Sequence, residues 1–134
     1  MASYGMSTTV NRPREAVRER VVAALKDEGF GVLTTIDVQG TLREKIGVEI
    51  EPYEILGACN PSLAHRALEV DRSIGLLLPC NVVLREVPEG VEVSIQDPEA
   101  MFSVADAEAR ERLGDLASDA RQRLARVIAA LQRG

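Results

Sequence analysis

The stretch Ile55–Asn81, ILGACNPSLAHRALEVDRSIGLLLPCN, constrains the fold of this chain more than any other. It holds both cysteines, Cys59 and Cys80, and the only histidine, His65. The cysteines sit in mirrored settings, Cys59-Asn60-Pro61 and Pro79-Cys80-Asn81. Asn is a favoured helix N-cap and Pro a favoured first helical residue, so Asn60-Pro61 opens a helix. It is expected to run to about Val70 and to bury Leu63, Ala64, Ala67 and Leu68. Asp71–Ser73 turns the chain. The apolar run Ile74–Leu78 then leads into an extended segment, Gly75–Val87, interrupted at Pro79. The stretch reads as strand, helix, strand, with a cysteine at each strand–loop junction.

The same punctuation divides the rest of the chain. Tyr4–Val10 alternates Tyr4, Met6, Thr8 and Val10 on one side, a strand pattern. Pro13 takes the first position of a helix whose inner face is Val17, Val21, Ala24 and Leu25, and Gly29 closes it in a left-handed cap. Phe30–Val38 is a second strand, with Phe30, Val32, Thr34, Ile36 and Val38 on one face. Thr41 and Glu44 match a capping box for a short helix that Gly47 closes. Tyr53–Ala58 is the third strand. After the Gly75–Val87 segment, Pro88-Glu89-Gly90 is a hairpin loop. Val91, Val93 and Ile95 then alternate with Glu92, Ser94 and Gln96, giving one dry and one wet face. Asp97-Pro98 repeats the cap-and-proline start for a short turn.

A long helix from about Asp106 to Gln132 carries Leu113, Leu116, Ala117, Ala120, Leu124, Val127, Ile128 and Leu131 in one stripe. Glu108–Arg112 and Asp119–Arg123 are spaced as i,i+4 ion pairs. Gly114 interrupts this helix with no evident reason except close packing.

The order is β-α-β-α-β-α-β-β-α, with one-faced strands and one-striped helices. This is an α+β, two-layer sandwich: a largely antiparallel sheet with helices on one face. At 134 residues, the chain is read as a single domain, 1–134. The other sheet face is free for a second copy to cover.

Three segments together resemble the domain-of-unknown-function 302 family: EGFGVLTTIDV at Glu28–Val38, ILGACNPSLAHRAL at Ile55–Leu68, and IGLLLPCNVVL at Ile74–Leu84. The similarity spans about Arg12 to Leu131. The resemblance implies a curved sheet backed by helices, as in the TATA-binding protein superfamily, and a homodimer. It implies no activity, and the fold analogy does not carry DNA binding with it.

Composition removes several function classes. The formal net charge of −5 opposes nucleic-acid binding, which needs a basic patch. Aromatic residues are 3%, too few for base-stacking platforms. No segment is long and apolar enough for a membrane span, and the first ten residues lack a signal-peptide pattern. The expected place is the cytoplasm, where two cysteines are expected as thiols. A single histidine and no GxSxG leave no nucleophilic triad. No P-loop or dinucleotide fingerprint appears, and the residues name no cofactor.

The candidate site residues are Cys59, Asn60, Cys80 and Asn81, with Tyr53, Glu54 and His65 as weaker candidates. Cys59 precedes a helix N-terminus, a position that can lower a thiol pKa, and free Cys is also a common core residue. Cys80 alone reads as core filling. If the third and fourth strands are neighbours, both sulfurs can face one pocket and bind a soft metal or cycle through a disulfide. Zinc would need two further ligands, and His65 lies nearly two turns from the helix start. Asn60 is explained by capping, whereas Asn81 is free to orient a ligand. Glu49, Glu51, Glu54 and Tyr53 form an acidic approach, read as a solvated edge or as a general base and cation rim. Two function classes follow. One is a ligand-binding or interaction module sited near the CNP and LPCN motifs. The alternative is a thiol-redox or soft-metal protein acting through Cys59 and Cys80.

Overall fold

The structure, a computed structural model, describes residues 2–133. Met1 and Gly134, the ends of the expected domain, lie outside the described residues. Five strands form one sheet: β1 (Gly5–Val10), β2 (Gly31–Asp37), β3 (Tyr53–Cys59), β4 (Cys80–Val87) and β5 (Gly90–Gln96). Their spatial order is β1-β5-β4-β3-β2, and every neighbouring pair is antiparallel. The helices are α1 (Arg14–Asp27), α2 (Val38–Ile46), α3 (Pro61–Val70), α4 (Pro98–Phe102) and α5 (Ala107–Gln132). The curved sheet carries its helices on one face, as the pattern of apolar residues requires.

The main core lies between the sheet and helices α1 and α5. Val17, Val21 and Leu25 of α1 meet Leu124, Val127, Ile128 and Leu131 of α5, over Leu56, Val82, Leu84, Val91, Val93 and Ile95. All eight residues of the expected α5 stripe are buried. A second, smaller cluster joins Ala67 of α3, Ile74, and Leu113 and Leu116 of α5. Aliphatic burial on this scale, at about 25 cal/mol per Å2, is what holds the layers together.

Several local expectations hold. Gly29 and Gly47 both take left-handed backbone angles, φ 84° and 67°, after their helices. Asn60 and Asp97 cap α3 and α4 through their side chains. Asp119 and Arg123 pair at 2.8 Å, whereas Glu108 and Arg112 form no ion pair. Pro13 is the N-cap of α1, one residue earlier than expected.

Four expectations are corrected. First, α2 begins at Val38 rather than after Thr41. Asp37 is its N-cap and accepts from Gly40 N at 2.9 Å, while Thr41 Oγ1 donates to Asp37 O within the helix. Second, a bulge between Val32 and Thr34 breaks the period of β2. Val32 stands opposite Ala58 but Thr34 stands opposite Gly57, so Thr34 and Ile36 change to the open face. Third, Arg72–Leu77 is a 3-10 helix, capped by Asp71, and β4 begins only at Cys80. Ile74, within this 3-10 helix, is buried in the second core cluster. Fourth, a Cβ built on Gly114 meets nothing within 4 Å, so close packing does not explain that glycine.

Candidate functional site

The third and fourth strands are neighbours, and their register decides where the motif residues lie. Ala58 stands opposite Cys80, and Gly57 opposite Asn81. Successive strand residues alternate between faces. Cys80 therefore shares the helix-covered face with Ala58, Val82 and Leu84. Cys59 and Asn81 belong by alternation to the other face. Asn81 is thereby parted from the other motif residues.

Both cysteines nonetheless border one cavity, with Ala58, Leu63, Leu78 and Phe102 among its walls. Its volume is about 40 Å3. A water or two would fill it. A metabolite would not fit, since small-molecule sites run to about 300–1,000 Å3. Both cysteines are free thiols, and no disulfide pairs them. Burial pushes the Cys59 thiol up from its ordinary value. Burial, and then the proximity of Cys59, push Cys80 up to about 11. For Cys59 this direction fits a core-filling residue better than an activated thiol.

Asn60 is buried and occupied. Its Oδ1 accepts from Leu63 N at 3.2 Å and its Nδ2 donates to Glu28 O at 3.5 Å. Glu28 is a junction that sequence reasoning missed. Its carbonyl also accepts from Arg123 Nη1 at 3.2 Å, and its carboxylate accepts from Arg126 Nη2 at 2.8 Å. Asn60 thus ties α3 to the end of α1 and, through Glu28, to α5. These partners lie 32 and 95–98 residues apart, so no local pattern announces them.

The acidic approach is not a set of free bases. Glu49 is held by Arg43, Glu51 by Arg85, and Glu54 by Arg18 at 2.8 Å. Glu51 is kept below the usual carboxylate range by a bond to its own backbone amide and by Arg85. Tyr53 stands opposite Arg85 on the open face. His65 is exposed on α3, lies 3.2 Å from Glu69, and is not among the residues lining the cavity that both cysteines border. Among the described residues, no group of three or more His, Cys, Asp or Glu side chains is placed to hold a metal ion.

Asn81 is placed differently. It is exposed on the open sheet face, beside a hollow of about 380 Å3. Its backbone N donates to Gln96 Oε1 at 2.9 Å. Across the hollow, the hydroxyls of Ser7 and Ser94 are 2.9 Å apart on paired strands. Tyr4 and Met101 supply the apolar part of the wall. Glu92, the charged residue in the lining, is held by Arg85 at 3.2 Å. The side-chain amide of Asn81 and the Nε2 of Gln96 donate to no partner among the described residues. Ser7, Ser94 and Gln96 were not singled out from sequence. The only available signal was their polar alternation within otherwise apolar strands.

A family model described as "Domain of unknown function DUF302" matches residues 6–131. Among solved structures, the chain is similar to an uncharacterized conserved DUF302 protein from Bacillus stearothermophilus. The two are 29% identical, with a TM-score of 0.85, over 97% of this chain and 99% of that one. No curated protein matches.

Proposed function

We propose, from the premise that this chain belongs to the DUF302 family, that it is a binding module whose working surface is the hollow beside Asn81 on the open sheet face. The observation that carries this reading is the pair of uncommitted carboxamide donors, on Asn81 and Gln96, at the edge of a hollow of small-molecule size. Two hydroxyls and two carboxamides offer donors and acceptors, and Tyr4 and Met101 offer an apolar wall. The one charge in the lining, Glu92, is paired with Arg85, which it shares with Glu51. This chemistry suits a small, uncharged molecule with several hydrogen-bonding groups.

The thiol and soft-metal reading has less support. Cys80 and Cys59 belong by alternation to different faces, and both thiols are shifted away from the thiolate. Two free thiols suit a reducing compartment such as the cytoplasm. No helix of the described residues is long and apolar enough to cross a membrane.

The test is an amide-resolved NMR titration with nicotinamide, adenine and glucose as separate probes. At least one probe is expected to shift the amides of Ser7, Asn81, Ser94 and Gln96, and Asn81→Leu is expected to abolish the shift while the fold persists. Shifts centred instead on Cys59 and Leu63, or none with any probe, would overturn the reading.

A further inference from the structure

Leu76 and Val104 are the two most exposed large apolar side chains among the described residues, at 87% and 71%. They flank one groove of about 260 Å3, between the 3-10 helix after α3 and the link from α4 to α5. Ile74, Leu77 and Ala105 also line it, and all three belong to the second core cluster or pack against it. The apolar wall is therefore anchored in the core. Two carboxylates complete the lining, Asp71 and Asp106. Asp71 Oδ1 accepts from Ser73 N at 2.9 Å. Asp106 precedes α5 but makes no side-chain cap bond there. Neither carboxylate is in an ion pair among the described residues, whereas Glu28, Glu51, Glu54 and Asp97 each hold an arginine. Arg72 follows Asp71 in the chain but does not line the groove. The surroundings are acidic as well: residues 69–77 carry two acids and one base, and residues 99–112 four acids and two bases.

We infer that this groove receives a lysine or arginine side chain presented, beside apolar residues, by a partner polypeptide. An apolar wall and a pair of unpaired carboxylates ask for opposite properties in one ligand. A lysine or arginine supplies both, since its methylene stem lies along apolar surface while its charged head stays at the polar rim. The stem covers Ile74 and Leu77, and the head meets Asp71 and Asp106. The volume is below that of metabolite sites, about 300–1,000 Å3, and suits a single inserted side chain. A free amine would leave Leu76 and Val104 in water, whereas the apolar neighbours of a polypeptide's lysine or arginine cover them. A partner of like charge, a second copy of this −5 chain included, would meet repulsion at this rim, and a basic one is drawn to it. No residue of the groove lines the hollow beside Asn81, so the inference stands independently of that site.

The test is an NMR titration of the full chain with the capped tripeptide Leu-Lys-Leu, and separately with capped Leu-Glu-Leu and with spermidine. Leu-Lys-Leu is expected to shift the amides of Ser73, Leu76, Val104 and Asp106 saturably, in the millimolar range. Asp71→Asn combined with Asp106→Asn is expected to weaken that binding by about fivefold or more, since two exposed charge pairs are lost. The fold is expected to persist in this variant, because Asn still caps Ser73 N. Leu76→Ala, at a side chain already in solvent, is also expected to fold normally and to bind more weakly. Absence of shifts at these amides with Leu-Lys-Leu would overturn the inference. So would equal binding of Leu-Glu-Leu, or undiminished binding by the double Asn variant. Spermidine binding as tightly as Leu-Lys-Leu would assign the groove to free amines and overturn the polypeptide partner.

Discussion

Cys80 stands opposite Ala58 in the β3–β4 ladder, not opposite Cys59. One residue of register separates two readings of the same pair of motifs. Had Cys59 faced Cys80, two sulfurs would have shared a face at cross-strand distance. As it is, Cys80 lies under the helices, and its thiol is pushed up to about 11 by burial and by Cys59.

That shift has a pH signature. Below the ordinary thiol pKa of about 8.5, folded and unfolded chains both keep the Cys80 proton, and its contribution to stability is constant. Between there and about 11 the unfolded chain ionises while the folded one does not. The unfolding free energy is therefore expected to fall as pH rises through this window. Urea titrations at a series of pH values check it. Cys80→Ala is expected to flatten this part of the profile, and an equally steep fall in that variant would refute the assignment. Native Cys80 is also expected to react with a disulfide reagent more slowly than the same thiol in the unfolded chain, since its raised pKa lowers the thiolate fraction.

Asn60 is expected to act on stability. Asn60→Ala removes the cap on Leu63 N and the tie to Glu28 O together. Cap loss alone costs about 1–2 kcal/mol. Asn60→Ser keeps a cap acceptor but is too short to reach Glu28, so it is expected to recover part of the loss. Chemical denaturation midpoints for the three proteins, at constant m, measure the two contributions separately.

Gly57 is required by close approach. A Cβ there would collide with Thr34 Oγ1 and sit 3.0 Å from Pro79 Cγ. Gly57→Ala is expected to destabilise the protein by about 1–3 kcal/mol, the range for overpacking. Thr34→Ala in the same chain is expected to restore much of that, because the hydroxyl is the nearest obstacle. A double-mutant cycle with no coupling between the two positions would contradict the geometry.

Gly114 makes the opposite case. It is exposed in the middle of α5, and a Cβ would meet open space. Gly114→Ala is expected to stabilise the protein by roughly 1 kcal/mol, the difference in helix propensity. Calorimetry is expected to show a rise in Tm of about 4 °C. A fall in Tm would mean that this position serves an interaction outside the single chain.

The local elements were legible in the residues because local chemistry specifies them. Asn60-Pro61 and Asp97-Pro98 cap helices through their own side chains, Gly29 and Gly47 turn the chain at positive φ, and the α5 stripe from Leu113 to Leu131 is buried throughout. The α+β sandwich and its antiparallel sheet follow from those periods. What the residues did not reveal depends on pairing across the chain. The bulge between Val32 and Thr34 sent Ile36 to the open face, against its apparent period. Gly75–Leu77 lie in a 3-10 helix instead of the expected extended segment, with Ile74 packed in the second core cluster. The β3–β4 register set Cys80 opposite Ala58, with both cysteines on one small cavity, and put Asn81 beside Gln96, Ser7 and Ser94, which come from two other strands. Alternation makes side-chain placement depend on register to a single residue, and register is set by the packing of the whole sheet. The sequence by itself determined which segments are helices and strands and which of their faces are apolar. Only the tertiary structure decided which polar side chains meet, because their neighbours are chosen by strands distant in sequence.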